Sequence, residues 1–175
     1  MATYKIDASH SEITFKVRHL MISTVGGKFN TFDATLEAED GDFADAKISF
    51  EADVNSITTH NEQRDTHLKS DDFFAADKYP KLTFVSTAIE KLSNEEYTIT
   101  GDLTIRDVTR PVELKAEYNG EIVDPWGQTR VGFELNGKIN RQEFDLKWNG
   151  LTEAGGIVVS DEVRLHLNIE MVKQA

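Results

Sequence analysis

The sequence predicts an all-β fold, an antiparallel sandwich or closed barrel of about eight strands with one short helix. Three observations carry this. Run after run alternates apolar and polar residues with a period of two, the mark of strands with one wet face. Short turns join most of the runs, whereas parallel pairing needs long, usually helical, crossovers. The alternation breaks down at length in only one place, residues 56–74, "SITTHNEQRDTHLKSDDFF".

The elements follow in order. In "SHSEITFKVRHLM", Ile13, Phe15, Val17 and His19 share one face and Thr14, Lys16 and Arg18 the other. "STVGG" reads as a loop whose glycines serve a sharp turn. "KFNTFDATLEAE" puts Phe32, Ala34 and Leu36 on one face with Phe29 out of phase, a slip that a bulge near Asn30 would explain. "AKISFEADV" turns Ile48, Phe50, Ala52 and Val54 inward. "KLTFVSTAIEKL", which includes Phe84, has apolar residues on both faces, so its orientation stays open. "YTITGDLTIRDV" presents Tyr97, Ile99, Gly101, Leu103 and Ile105. "PVELKAEYNG" presents Val112, Leu114, Ala116 and Tyr118, with Pro111 suited to a strand's first residue. "RVGFELNGKI" presents Val131, Phe133, Leu135, Gly137 and Ile139, and "EVRLHLNIEMV" presents Val163, Leu165, Leu167, Ile169 and Met171. "TEAGGIVVSDEV" reads as a loop entering that last strand.

Small residues interrupt the apolar rows at Ala34, Ala52, Gly101, Ala116 and Gly137. They fit a filled barrel that alternates large and small side chains, and equally a lumen with room left over.

The 175 residues fit one domain, and 39% hydrophobic with 29% charged residues fits a globular chain. The formal net charge of −12, from 19 basic and 31 acidic residues, argues against nucleic acid and disfavours a flat anionic membrane surface. Without cysteine there is no disulfide, thiolate nucleophile or cysteine-ligated metal. The N-terminal "MATYKIDASHSEITF" lacks a basic and then apolar leader, so a cytoplasmic location is expected, or a periplasmic one if a leader was trimmed.

In the anomalous segment, Thr58 or Thr59 is a candidate cap, and Thr59 with Glu62 forms a T-x-x-E box. The helix is expected from about His60 to Leu68, with His60, Arg64 and His67 on one side. "DDFFAADKYP" continues as a second helical turn or a compact loop ending before Pro80, and Phe73 and Phe74 require burial.

Three chemistries are open to such a segment. His60 and His67 lie seven residues apart, too far for two ligands on one ion, and His10, His19 and His166 form no recognisable set, so no metal or other cofactor is expected. No G-x-S-x-G elbow, triad or phosphate loop is present, so no catalytic residue is assigned; the enzyme alternative would rest on His19, His60 and His67. The third is binding: an apolar cavity whose wall would include Phe15, Val17, Phe50, Phe84, Ile99 and Phe133. Its mouth would carry His19, Arg64, His67, Lys69, Arg141 and Trp148, with Phe73 and Phe74 anchoring a lid. A stress-related protein with a filled core, acting through protein contacts, is the remaining alternative.

"DASHSEITFKVRHL", "HNEQRDTHLKSDDFF", "YPKLTF", "GDLTIRDVTRPVEL" and "GKINRQEFDLKWN", in this order, resemble the YceI-like family from about Tyr4 to Met171. The resemblance implies an extended, lipocalin-like, eight-stranded antiparallel barrel with a helix near its mouth. It implies binding of a polyisoprenoid or similar long amphipathic lipid, such as an isoprenoid quinone or polyprenyl phosphate. It also implies a frequent homodimer and no enzymatic activity established for the class. Many members are exported. Members often carry glycine where this chain has Asp107, a residue that tolerates a left-handed turn.

Overall fold

The structure is a computed structural model that describes residues 1–39, 42–148 and 159–175. Its strands are β1 (Ala2–Ile6), β2 (Glu12–His19), β3 (Ser23–Phe29), β4 (Phe32–Glu39), β5 (Asp42–Asp53), β6 (Ile57–Thr58), β7 (Lys81–Lys91), β8 (Glu96–Ile105), β9 (Val108–Val123), β10 (Thr129–Asn140) and β11 (Val159–Lys173); the helix α1 spans Glu62–Lys69. Every pairing is antiparallel. The order β1-β4-β5-β7-β8-β9-β10-β11 closes on itself because β11 also pairs with β1, Tyr4 facing Lys173. The ring has eight staves, as the alternation predicts.

Three staves are broken. β1 lies against Met171–Lys173 and β2 against the earlier part of β11, so the two run end to end along one strand. Between them Asp7 caps a 3-10 turn, its Oδ1 accepting from the Ser9 amide at 3.0 Å. Asp53 does the same at 3.0 Å from Asn55 between β5 and β6. A short aspartate side chain offers the backbone a local bond in place of the ladder. β3 and β4 are separated at Asn30–Thr31, so the slip at Phe29 is a break and not a bulge.

Other expectations are corrected. The "STVGG" loop is strand β3, and its Gly27 is tight: a Cβ there would lie 2.4 Å from the Phe15 ring. The ambiguous strand is β7, where a register shift between Ser86 and Ala88 moves the inward row from Leu82 and Phe84 to Ile89. Pro111 is inside β9, opposite Asp102, where the ladder to β10 has already ended at Leu114 and no amide is needed on that side. The left-handed residue of the β8–β9 turn is Arg106, with φ 56°, not Asp107.

The helix starts later than predicted. Asn61 is the cap, its side chain accepting from the Arg64 amide at 3.0 Å, and His60 sits outside the helix with φ 63°. The Thr59–Glu62 box does not form; Thr59 donates its amide and hydroxyl to Asp65 at 2.8 and 2.6 Å. Residues 71–79 make a compact loop with Phe73 buried and Phe74 half-buried against the core. The loop expectation for residues 152–158 lies outside the described residues.

Candidate ligand cavity and its mouth

The inward rows of the staves enclose a cavity of about 240 Å³, lined by apolar side chains apart from Thr14 and Arg141. Along β8 the lining runs from Tyr97 to Ile105, roughly 26 Å of strand, so the space is elongated. Phe15, Ile48, Phe50, Leu165, Leu167 and Ile169 face inward yet stay only partly buried, because they border empty space. The glycine gaps are filled from beside: a Cβ on Gly101 would lie 2.4 Å from the Phe84 ring, and one on Gly137 2.5 Å from a Leu114 methyl. Ala34, Ala46 and Ala116 border open volume in the wall, whereas Ala52 is fully buried and outside the lining.

An aromatic floor closes one end. Phe43 lies 5.8 Å from Tyr4, 5.2 Å from Tyr118 and 5.2 Å from Phe133, ring centre to ring centre. Edge-on and tilted contacts of this kind hold rings together beyond their buried area. Beneath it, Arg130 meets three carboxylates: Asp124 at 2.7 Å, Asp7 at 2.8 Å and Glu170 at 2.6 Å. Hydrogen bonds from Ser9, His10 and Arg130 hold the Asp7 carboxyl well below the usual carboxylate range, and those carboxylates push Arg130 up.

The mouth is built differently. Arg141 is 2% exposed and donates to the carbonyls of Ser160 (2.9 Å), Leu146, Trp148 (2.7 Å) and Val159 (3.2 Å). Burial pushes its guanidinium down, offset in part by Asp161 at 3.6 Å. Arg106 reaches across to the carbonyls of Phe73 (3.0 Å), Asp71 (3.2 Å) and Asp145 (3.4 Å). Arg64 is turned to Thr59, bonding its hydroxyl and carbonyl at 2.7 Å each.

Of the predicted residues, Phe15, Val17, Phe50, Phe73, Phe74, Phe84, Ile99, Phe133 and Arg141 all line the cavity. His19, Arg64, His67 and Trp148 do not. His19 ends β2 in register with Val159, and its side chain is not part of the lining. His67 stands edge-on to Phe73 and Trp148, with ring centres 5.1 and 5.0 Å away, and contacts Asp72 at 2.8 Å. It packs the 71–79 loop against Trp148.

Sequence reasoning missed Phe43, Phe29 and Leu68 in the wall and Arg106 at the mouth. Phe43 and Leu68 were legible as apolar residues in otherwise charged stretches. Arg106 gave no local signal, because its acceptors are more than thirty residues away.

His10 also finds a setting that the sequence hid. With Asp7 and Glu170 it forms a group of possible metal donors whose ligand atoms lie within 4.8 Å. The Arg130 guanidinium already donates to both carboxylates. Ser9 and Asp7 both contact the same ring nitrogen, Nδ1, at 3.2 and 2.9 Å. A nucleophile relay needs the two on opposite nitrogens.

The model of the YceI-like domain matches residues 4–171. The chain belongs to the YceI-like family. Protein YceI of Shigella flexneri is 40% identical over 175 residues, covering 99% of this chain and 88% of that one. The Campylobacter jejuni YCEI protein superposes with a TM-score of 0.77 at 34% identity, covering 90% of each chain. A polyisoprenoid-binding domain from Saccharophagus degradans shares the fold, with a TM-score of 0.70 at 15% identity over 98% of each chain. In this YceI-like barrel, no helix among the described residues is long and apolar enough to cross a membrane.

Proposed function

We propose that the barrel binds one long amphipathic lipid of the polyisoprenoid class, tail in the lumen and head at the mouth, and carries it without chemical change. The carrying observation is the elongated apolar cavity, whose inward side chains border unfilled space. The same space speaks against a filled-core interaction protein. Each methylene-sized group withdrawn from water contributes about 0.8 kcal/mol. Ordering a flexible tail takes back much of this. The wall residues Phe15, Val17, Phe50, Phe84, Ile99 and Phe133 contact the tail, and Phe73 and Phe74 close over it.

Arg64 and Arg141 already donate to oxygens of the protein, so they act on the head through charge rather than through free donors. The head then sets orientation more than affinity. The homodimer implied by the resemblance belongs to this reading and is checked by light scattering.

Native mass spectrometry with organic extraction of the purified protein tests the proposal. A co-purifying isoprenoid lipid, or a rise in melting temperature with added polyprenol, is expected. Ala116→Phe, which fills the wall, and Phe15→Glu should each abolish binding of polyprenol and polyprenyl diphosphate alike, with circular dichroism unchanged. Arg64→Ala should weaken the diphosphate more than the alcohol. Absence of both a co-purified lipid and a melting shift refutes the carrier reading.

A further inference from the structure

We propose that the β2–β3 hairpin tip is a membrane-docking element: Leu20, Met21 and Ile22 enter the interfacial layer of an anionic bilayer, and Lys16, Arg18 and Lys28 behind them meet its head groups. The purpose assigned to this contact, loading and unloading the lumen, rests on the lipid-carrier reading; the contact itself does not.

Position is the first argument. His19 pairs with Val159, so the tip stands at the mouth end of the barrel. Val17 and Val159, just below it, line the cavity. A hydrocarbon chain leaving the lumen therefore emerges beside the tip.

The tip itself is the second. Ile22 is 82% exposed, Met21 51% and Leu20 37%. Scattered exposed apolar residues are ordinary, but three in a row at an apex are not. Their backbone is strained as well. Leu20 and Met21 both have positive φ, 52° and 59°, and the Ile22 amide donates to the His19 carbonyl at 3.2 Å. That is the pattern of a type I′ turn, which favours Asn-Gly because side chains larger than these tolerate the left-handed region poorly. The Arg18 guanidinium braces the turn by donating to the Met21 carbonyl at 2.9 Å. Large apolar side chains are held where both water and backbone disfavour them, and such strain is a pointer to function.

Charge is the third. The whole chain carries −12, which repels an anionic surface. The outer face behind the tip departs from that average. Lys16, Arg164 and Lys138 face one another in register across β2, β11 and β10. One step further from the tip, Lys28, Thr14 and His166 form a second row. Glu162 contacts Arg164 and Lys138, and Glu134 contacts His166. Lys16 and Lys28 have no ion-pair partner among the described residues. The apolar tip at the opposite end differs. Ile122, Val123 and Trp126 are 68%, 62% and 81% exposed there, but Glu121, Asp124, Asp7 and Glu170 stand close by, and Arg130 is engaged by the last three. An anionic bilayer would attract the first tip and repel the second.

The test is co-sedimentation of the full chain with vesicles of phosphatidylcholine alone and of phosphatidylcholine with phosphatidylglycerol. Pelleting with the anionic vesicles, reduced by salt, is expected. Replacing Leu20, Met21 and Ile22 together by serine should lower the partition constant at least about ten-fold. Lys16→Gln and Lys28→Gln should each lower it by roughly five-fold. Trp126→Ser should leave it unchanged. In a background carrying Trp126→Phe and Trp148→Phe, the fluorescence of Ile22→Trp should be quenched by brominated lipid.

Equal pelleting of the wild type and the triple serine variant, or none by the wild type, overturns the proposal. So does a triple variant whose only change is conversion from dimer to monomer, which would make the tip a contact between two copies. Tip-dependent pelleting by a protein that carries no extractable lipid keeps the docking surface and removes the carrier. Extractable lipid without tip-dependent pelleting does the reverse.

Discussion

At the floor of the barrel an arginine meets three carboxylates, whereas at the mouth Arg106 and Arg141 donate chiefly to main-chain carbonyls. The difference follows from what each end has to hold. The floor joins regular strands and the capped turn at Asp7, where side chains from different parts of the chain meet. The mouth combines loop with the register-shifted start of β11, where carbonyls outside a regular ladder must find donors or water. A guanidinium with several donors in a fixed fork can serve several carbonyls at once. One end is therefore tied by groups that titrate and the other by groups that do not.

The largest expected effect is at the mouth. Arg141→Met keeps the bulk and removes the donors for four carbonyls, and should cost about 3 kcal/mol or more in urea unfolding. Arg141→Lys should recover less than half of this, since an ammonium cannot span the same acceptors. The loss should be nearly the same at pH 4 and pH 8. Strong pH dependence would break the contrast with the floor.

The floor should respond less and with a marked pH dependence. Arg130→Gln leaves Asp7, Asp124 and Glu170 without their shared cation, and its stability loss at pH 7 should be under half that of Arg141→Met. Arg130 depresses the Asp124 carboxyl, and Ser9, His10 and Arg130 together depress Asp7. A depressed carboxylate stabilises above its unfolded value, about 3.9, and that contribution fades as pH falls through the lower folded value. The difference between wild type and Arg130→Gln should accordingly shrink below about pH 4. Urea midpoints measured at pH 7 and pH 3 check this.

The smallest effect is at His10. Its hydrogen bond to Asp7, with the charges of Asp7 and Glu170, raises its proton affinity. A raised histidine stabilises fully below its unfolded value, about 6.5, and loses that contribution as pH rises through the folded value. His10→Gln should flatten the wild type's decline in urea midpoint between pH 6 and pH 9. An unchanged slope would detach His10 from the floor cluster.

Much of the architecture was legible because alternation survives wherever a stave is intact. The apolar rows of β8, β10 and β11 read directly as inward-facing, although alternation alone did not separate a filled core from a lumen. Legibility failed at interruptions of period. The Asn30–Thr31 break showed only as a phase slip, and the shift at Ser86–Ala88 made β7 look two-faced. The helix start was misplaced because Thr59 and Asn61 are both good caps, and the choice fell to Asp65, which engages Thr59 from inside the helix. The arginine ties were illegible for a different reason. Asp7 and Arg130 are 123 residues apart, and no local pattern encodes such a meeting.

The seam has a consequence for how the barrel comes into being. Tyr4–Ile6 pair with Met171–Lys173, and the Gln174 amide bonds the Thr3 carbonyl at 2.7 Å, so the first strand and the last close the ring together. Contacts of that sequence separation carry a heavy loop-closure cost and slow folding. They are also out of reach until β11 has been made: the seven earlier staves can assemble on the emerging chain, and β11 then closes the ring by pairing with β10 on one side and with β1 and β2 on the other. Until then the incomplete sheet has two unpaired edges and an apolar inner face open along its whole length. That is the interval in which the nascent protein is most exposed to aggregation.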